Sequence, residues 1–209
     1  MLIDPAAGLM KFKREVDRVQ RQQKTLRSWG CHVIEINEGA RTVDALFLPS
    51  RPLRVSFPSS SGLVGPQGAV LMNMLESPGL SARSFGVRVA LDDFDQRAPS
   101  VSFRDPFTWE SLPYATMQRA NNLDENGRPF SVLLDAHPLT KLPFLCMRGI
   151  REYHEHPQHT GDDWMLYRSN FSLFDVLVAV WRTCVDQARP NLLLVAPQPV
   201  INWEAVGYT

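Results

Sequence analysis

Between Leu26 and Cys31 the apolar spacing of the chain changes from helical to extended, and that change commits it to a mixed α+β fold. Leu9, Phe12, Val16, Val19 and Leu26 recur at intervals of three, four or seven and predict a helix over residues 5–28 with one apolar face. Gly30 supplies its stop. Cys31–Ile36 and Thr42–Leu48 then read as strands, joined by a turn at Asn37-Glu38-Gly39. A third strand is predicted over Phe85–Leu91, where Phe85, Val87, Val89 and Leu91 take one face and Gly86, Arg88 and Ala90 the other.

The remaining segments complete a helix–strands–loop–helix order. Residues 49–82, rich in Pro, Ser and Gly, read as an irregular insertion with a short helix near 69–75. Asp92–Asp95 turns the chain, and Pro99–Phe103 forms a short strand edge. Residues 105–129 are irregular again, with a turn signal at Asp124-Glu125-Asn126-Gly127, and Phe130–Leu134 reads as a short strand. Residues 135–168 are expected to form a structured loop. A second helix, apolar nearly all round and therefore buried, is predicted over 172–188, opened by a capping box at Ser172 and Asp175 and ended by Pro190. The tail, 191–209, is expected on the surface. Such an order predicts helices packed on one antiparallel sheet, in a single domain over 1–209 with insertions near 49–82 and 105–129.

Composition removes several function classes. Twenty-two basic and 22 acidic residues leave no formal net charge, which argues against general nucleic-acid binding. No apolar run is long enough for a transmembrane helix. The segment Met1–Pro5 lacks the basic and apolar regions of a secretory signal. Three widely spaced cysteines, with no CxxC, argue against a disulfide framework and for a reducing compartment. No GxxxxGK[ST], GxGxxG or GxSxG is present, so nucleotide-binding and serine-hydrolase readings have no support.

The chemistry gathers between Asp135 and Asp163. Four of the five histidines, His137, His154, His156 and His159, share this stretch with Cys146. A cysteine attacks as its thiolate, and a neighbouring histidine or cation raises that fraction. Cys184 sits on the stripe of the second helix and Cys31 at a strand start, both positions of a small buried apolar residue. Cys146, flanked by Arg148 and the histidines, is open to either role. A metal reading uses Cys146, His154, His156 and His159, which are zinc ligand types without a zinc motif's paired spacing. Histidines in long loops also often serve only as hydrogen-bonding groups. In the first helix, Lys11, Lys13, Arg14, Arg18, Arg21, Lys24 and Arg27 outnumber Glu15 and Asp17. Their face is either simply solvated or a docking surface for an acidic partner.

The order of features resembles the ubiquitin-conjugating (UBC-like) superfamily, in its divergent prokaryotic branch. The residues that carry the likeness are the helix 5–28, the strand Gly86–Leu91 leading to Pro99-Ser100-Val101-Ser102-Phe103, His137-Pro138 nine residues before Cys146, and Trp164 ahead of the helix 172–188. The resemblance implies an α+β, UBC-like fold: N-terminal helix, four-stranded antiparallel meander, long active-site loop and C-terminal core helix. It implies a cytoplasmic transferase of a bacterial ubiquitination-like, antiphage-defence pathway, with no cofactor. Cys146 would accept a ubiquitin-like modifier as a thioester from an activating enzyme, a JAB-type peptidase being a third partner of the same operon. His137 would shape the loop, and His154, His156 or Asp135 would act as base or orient the acceptor. Lys13, Arg14, Arg18 and Arg21 would dock the activating enzyme. Leu139 stands where the family carries an asparagine, so the oxyanion donor would come from elsewhere. Two other readings are a non-catalytic binding module on the same fold and a small zinc protein built on the histidine loop.

Overall fold

The computed structural model describes residues 4–48, 84–94, 96–117, 119–123, 129–159, 161–186 and 188–189. Asp4 starts the first helix: its carboxylate accepts from the Ala6 N–H at 2.9 Å, and Pro5 takes the first helical position, where its missing N–H is harmless. Helix α1 spans Pro5–Arg21 and α2 spans Gln23–Ser28, with a one-residue break at Gln22 where a single helix was expected. Phe12, Val16, Val19 and Leu26 are buried as their spacing required. Gly30, at φ +78°, turns the chain into the sheet.

Four strands follow: β1 (Cys31–Asn37), β2 (Thr42–Phe47), β3 (Phe85–Ala90) and β4 (Ser100–Arg104). They pair antiparallel in the order β1-β2-β3-β4, a meander. The register sets Phe47 opposite Phe85, whose rings stack at 5.1 Å, and Val87 opposite Phe103. Val43, Ala45, Phe47, Val87, Val89, Val101 and Phe103 join the helix side chains in one core. Asp44 and Arg88 face each other across β2 and β3 in a bidentate pair of 2.8 and 2.7 Å. Those two hydrogen bonds compensate the burial of the Asp44 carboxylate.

Beyond the meander lie β5 (Arg119–Leu123), β6 (Pro129–Val132), β7 (Leu134–Ala136), β8 (Pro143–Leu145), the short helix α3 (Arg151–His154), the helix α4 (Leu173–Trp181) and β9 (Ala188–Arg189). Helix α4 opens on the expected capping box, Ser172 with Asp175, and buries Leu173, Val176, Leu177 and Val180. It is shorter than the expected 172–188: a π-helical turn over Arg182–Asp186 follows, and Ala188–Arg189 pair with β5 instead of continuing the helix. Strand β5 itself lies in a stretch expected to be irregular. Its Asn-rich sequence has low strand propensity, and distant partners, β6 and β9, supply its pairing.

One buried carboxylate ties the first helix to the last. Glu15 accepts from the Leu173 N–H at 3.1 Å, an N-terminal donor that α4 cannot satisfy internally, and meets the Arg18 guanidinium at 3.2 Å. Among the described residues no helix is long and apolar enough to cross a membrane. The expected insertion over 49–82, its short helix, the turn at Asp124–Gly127 and the tail from 191 lie outside the described residues.

Candidate active site

Cys146 is positioned by the hairpin before it. Strands β7 and β8 pair Leu134 with Leu145, Asp135 with Phe144 and Ala136 with Pro143. The loop between them is closed by the His137 N–H on Leu142 O at 2.9 Å and the Lys141 N–H on His137 O at 2.8 Å. The Cys146 N–H donates to Leu133 O at 2.8 Å, one step beyond the last pair, which fixes its backbone. The stretch expected as one structured loop is thus a hairpin followed by short helical turns.

The chain after Cys146 is fastened to the meander. A four-residue helix cannot hold itself, and α3 is held by its side chains. Arg151 donates to Ala98 O at 3.1 Å, Asp92 O at 3.2 Å and the Asp92 carboxylate at 2.9 Å. The Glu152 carboxylate accepts from the Val101 N–H at 3.1 Å and from the Ser100 hydroxyl. Burial raises the Glu152 carboxyl above its usual range, with those hydrogen bonds opposing it. Gly149 is required at the turn before α3, because a Cβ there would stand 2.4 Å from the Phe171 ring.

With both ends held, the 3-10 turn Pro157–His159 brings His159 Nε2 to 3.4 Å from Cys146 Sγ. The His159 ring stacks on Tyr153, centroids 3.9 Å apart and planes 15° off parallel. The Tyr153 hydroxyl donates to the Asp162 carboxylate, which also meets Arg148 Nε at 3.4 Å. Cys146 is partly exposed, whereas Cys31 and Cys184 are 0% and 3% exposed. Partial burial first, and the charge of Asp135 second, raise the Cys146 thiol above its ordinary range. Desolvation first, then the neighbouring His156, lower the His159 imidazole. Both directions favour an uncharged thiol against an uncharged imidazole within hydrogen-bond distance.

The other expected site residues take distinct places. His137 is buried; its Nδ1 accepts from the Leu139 N–H at 3.4 Å, so the neutral ring carries its proton on Nε2. That buried donor has no hydrogen-bond partner, and the ring packs edge-on against Phe144 and His156. His156 stacks on Phe144, accepts from the Gln158 N–H at Nδ1, and lies 5.1 Å from His159. His154 faces Asp162 O at 2.9 Å and Arg148 O at 2.7 Å, one carbonyl at each ring nitrogen. Carbonyls only accept, so each contact is a hydrogen bond donated by the ring nitrogen that carries a proton. His154 lies between backbone carbonyls from both ends of the segment 148–162. Asp135 is exposed on β7 and reaches the thiol through its charge. Leu139 is 71% exposed at the hairpin loop.

Among the described residues no group of three or more His, Cys, Asp or Glu side chains is placed to hold a metal ion. The zinc arrangement weighed from sequence is not assembled, since His154 has both nitrogens turned to carbonyls. His159, named from sequence only as a ligand type, is the residue at the sulfur. Its partner Tyr153 was not singled out at all; the signal was an aromatic six residues before a histidine, which no periodicity marks. On α1, Lys13 pairs with Glu38 at 3.0 Å, and Arg14 and Arg18 reach Glu15 at 3.6 and 3.2 Å, all three with half-exposed side chains; Arg21 is exposed. A groove of about 270 Å³ lies against Val19, Gln23, Val33 and Ile34, and no residue of the Cys146 cluster lines it.

The family model described as Y4jH-like (Y4jH family) matches residues 118–187. The chain is also similar to the uncharacterized protein y4jH of Sinorhizobium fredii (strain NBRC 101917 / NGR234), at 29% identity over 227 aligned residues, covering 95% of this chain and 96% of that protein. The family match spans the β7–β8 hairpin, Cys146, every histidine of the cluster and α4, and leaves out α1 and the meander.

Proposed function

We propose that this chain is an acyl carrier of the ubiquitin-conjugating type, in which Cys146 takes the C-terminal carboxyl of a ubiquitin-like modifier from an activating enzyme as a thioester and passes it to an acceptor. The observation that carries the reading is the Cys146–His159 contact at 3.4 Å, on a partly exposed sulfur at the end of a hairpin whose loop opens with His137-Pro138. An N-terminal helix, a four-stranded meander and a C-terminal core helix agree with the UBC-like order expected from sequence. The bacterial antiphage setting and the JAB-type peptidase rest on the resemblance alone.

Atoms balance in a transthiolation. The Cys146 S–H proton passes to His159 Nε2 as Sγ attacks the incoming thioester carbon. The tetrahedral intermediate collapses, the carbon–sulfur bond to the activating enzyme breaks, and the departing thiolate takes the proton back from His159. A resting thiol raised by burial is a weak nucleophile. An uncharged imidazole at the sulfur supplies the missing step without a standing thiolate. Tyr153 holds the ring by stacking, and Asp162 holds Tyr153.

The raised thiol is also the observation that favours a non-catalytic binding module on the same fold, and one experiment separates the two. The protein is mixed with its neighbouring activating enzyme, ubiquitin-like protein and ATP, and run on a non-reducing gel. A thiol-sensitive adduct lost in Cys146→Ala and kept in Cys31→Ala and Cys184→Ala is expected. Absence of the adduct beside a charged activating enzyme leaves the binding module standing. Charge reversal at Arg14 and Arg18 should slow loading about tenfold at low salt and less at high salt, as steering by exposed charges does. Unchanged loading would remove α1 as the docking face.

A further inference from the structure

The position of His159 also selects the acceptor. We infer that the Cys146 thioester is discharged onto an oxygen nucleophile, an alcohol side chain or water, with His159 taking the hydroxyl proton. The inference rests on Cys146 carrying an acyl group.

The chemistry separates acceptors by what they need from the site. A lysine amine, once it has lost its extra proton to solvent, attacks a thioester unaided. A hydroxyl keeps its proton at neutral pH and is a poor nucleophile until a base removes it. Such a base must stand within hydrogen-bond reach of the attacking oxygen, which itself lies about 3 Å from the acyl carbon. His159 Nε2, 3.4 Å from Sγ, is at that distance from an atom bonded to the acyl carbon. The other histidines are committed: His154 to two backbone carbonyls, His156 through Nδ1 to Gln158 and by its face to Phe144, His137 in the interior. Once Sγ is acylated, the thiol proton that His159 faced is gone, and its nitrogen is free to accept another. The groups facing His159 are Tyr153 beneath it, His156 beside it, and Asp162, His154 and Arg148 through their charges. Desolvation and His156 keep the ring in its base form to lower pH than a free histidine.

The step is balanced. The hydroxyl oxygen bonds to the acyl carbon as its proton moves to His159 Nε2, the carbon–sulfur bond breaks, and the Cys146 thiolate recovers that proton. The products are an ester, or a carboxylate when water attacks, together with the free thiol. No oxidant or cofactor enters.

The test needs no identified modifier. The full chain is acylated on Cys146 with a short synthetic peptide thioester, and loss of the acyl mass is followed in buffer alone, with Nα-acetylthreonine amide and with Nα-acetyllysine amide, whose α-amines are blocked. Faster loss with threonine than with lysine, and a drop of about 10²-fold or more in the threonine rate in His159→Gln with the lysine rate falling far less, is the expected result. Rapid loss in buffer alone that also needs His159 assigns water as the oxygen nucleophile. Faster discharge to lysine, or a threonine rate indifferent to His159→Gln, overturns the inference while leaving Cys146 as a carrier. Failure of Cys146 to acylate at all sinks the carrier reading and this one with it. Should His159→Gln lose its fold, seen as a lowered melting temperature, the threonine-to-lysine ratio of the native protein still decides.

Discussion

The helix–sheet frame and the segment from Leu133 to Tyr167 share one apolar core but differ in how much of their hold comes from directed contacts. In the frame, α1, β1–β4 and α4 bury Phe12, Phe47, Val87, Phe103 and Leu177 in one continuous apolar cluster. The site segment lends Leu134, Leu145, Ile150 and Trp164 to that cluster and adds directed contacts: Arg151 and Glu152 on the β3–β4 turn and β4, His154 between two carbonyls, and a run of rings from Phe144 through His156 and His159 to Tyr153, with His159 at the sulfur. Burial is cooperative and global, whereas directed contacts can open locally. The frame sets whether the protein folds and the segment sets how the thiol behaves, so damage to each should be separable.

The largest expected effect belongs to the frame. Phe12→Ala should lower unfolding free energy by about 3–5 kcal/mol, because a fully buried aromatic leaves a cavity among α1, α4 and the sheet. Urea unfolding followed by circular dichroism measures it, and a loss under about 1 kcal/mol would show that the frame does not carry the stability.

A pH experiment probes the same frame. Burial pushes the Cys31 thiol up to about 12, and burial raises Cys184 as well. Folded thiols with raised pKa keep their protons while the unfolded chain ionises. Their stabilising contribution is therefore complete below the unfolded thiol range, about 8.5, and is lost as pH climbs from there through about 12. Cys31 alone should contribute a fall of about 2–4 kcal/mol across that window. Urea midpoints between neutral and alkaline pH should decline, and decline less steeply in Cys31→Ala; parallel slopes would show that Cys31 is not desolvated.

These two effects were legible before the structure because their cause is local in sequence. Phe12 sits on a repeat of three and four, and Cys31 opens a strand directly after the stop at Gly30. Glu15 occupies the same helix and was read only as a minority acid on a basic face. Its burial depends on the N–H of Leu173, 158 positions away, which no local pattern encodes. The place of His159 at the sulfur was hidden for the same reason: a 3-10 turn, a stacked tyrosine and a hairpin end carry it there, and none of them is periodic. Strand β5 was missed because its pairing is supplied from elsewhere in the chain. His137, His156 and Cys146 were legible as a cluster from their proximity in sequence, though not their separate surroundings.

Gly149→Ala tests whether the segment can be damaged alone. The added methyl must displace the Phe171 ring or the turn that follows Cys146, at about 1–3 kcal/mol. If the segment is locally held, the cost should appear as faster hydrogen exchange in residues 146–162 and faster alkylation of Cys146, with the urea midpoint changed less than in Phe12→Ala. Exchange spread evenly over α1 and α4 would make frame and segment one cooperative unit.

The smallest expected effect lies at the boundary between them. Asp135 belongs to the hairpin, is exposed, and acts on the Cys146 thiol through its charge, second to the burial of the sulfur itself. Removing an exposed charge changes an interaction by about 0.2–1 kcal/mol, screened further by salt. Asp135→Asn should therefore lower the thiol's pKa only slightly and speed iodoacetamide alkylation near neutral pH by about two- to fivefold at low salt, converging on the native rate at high salt. The comparison with His159→Gln sharpens the result. Loss of the imidazole should remove the proton acceptor and slow acylation whatever the salt, because the 3.4 Å contact is too short for ions to screen. A salt-independent rise in Asp135→Asn would mean that this carboxylate contacts the thiol directly, and the sulfur would then have two partners in competition for its proton.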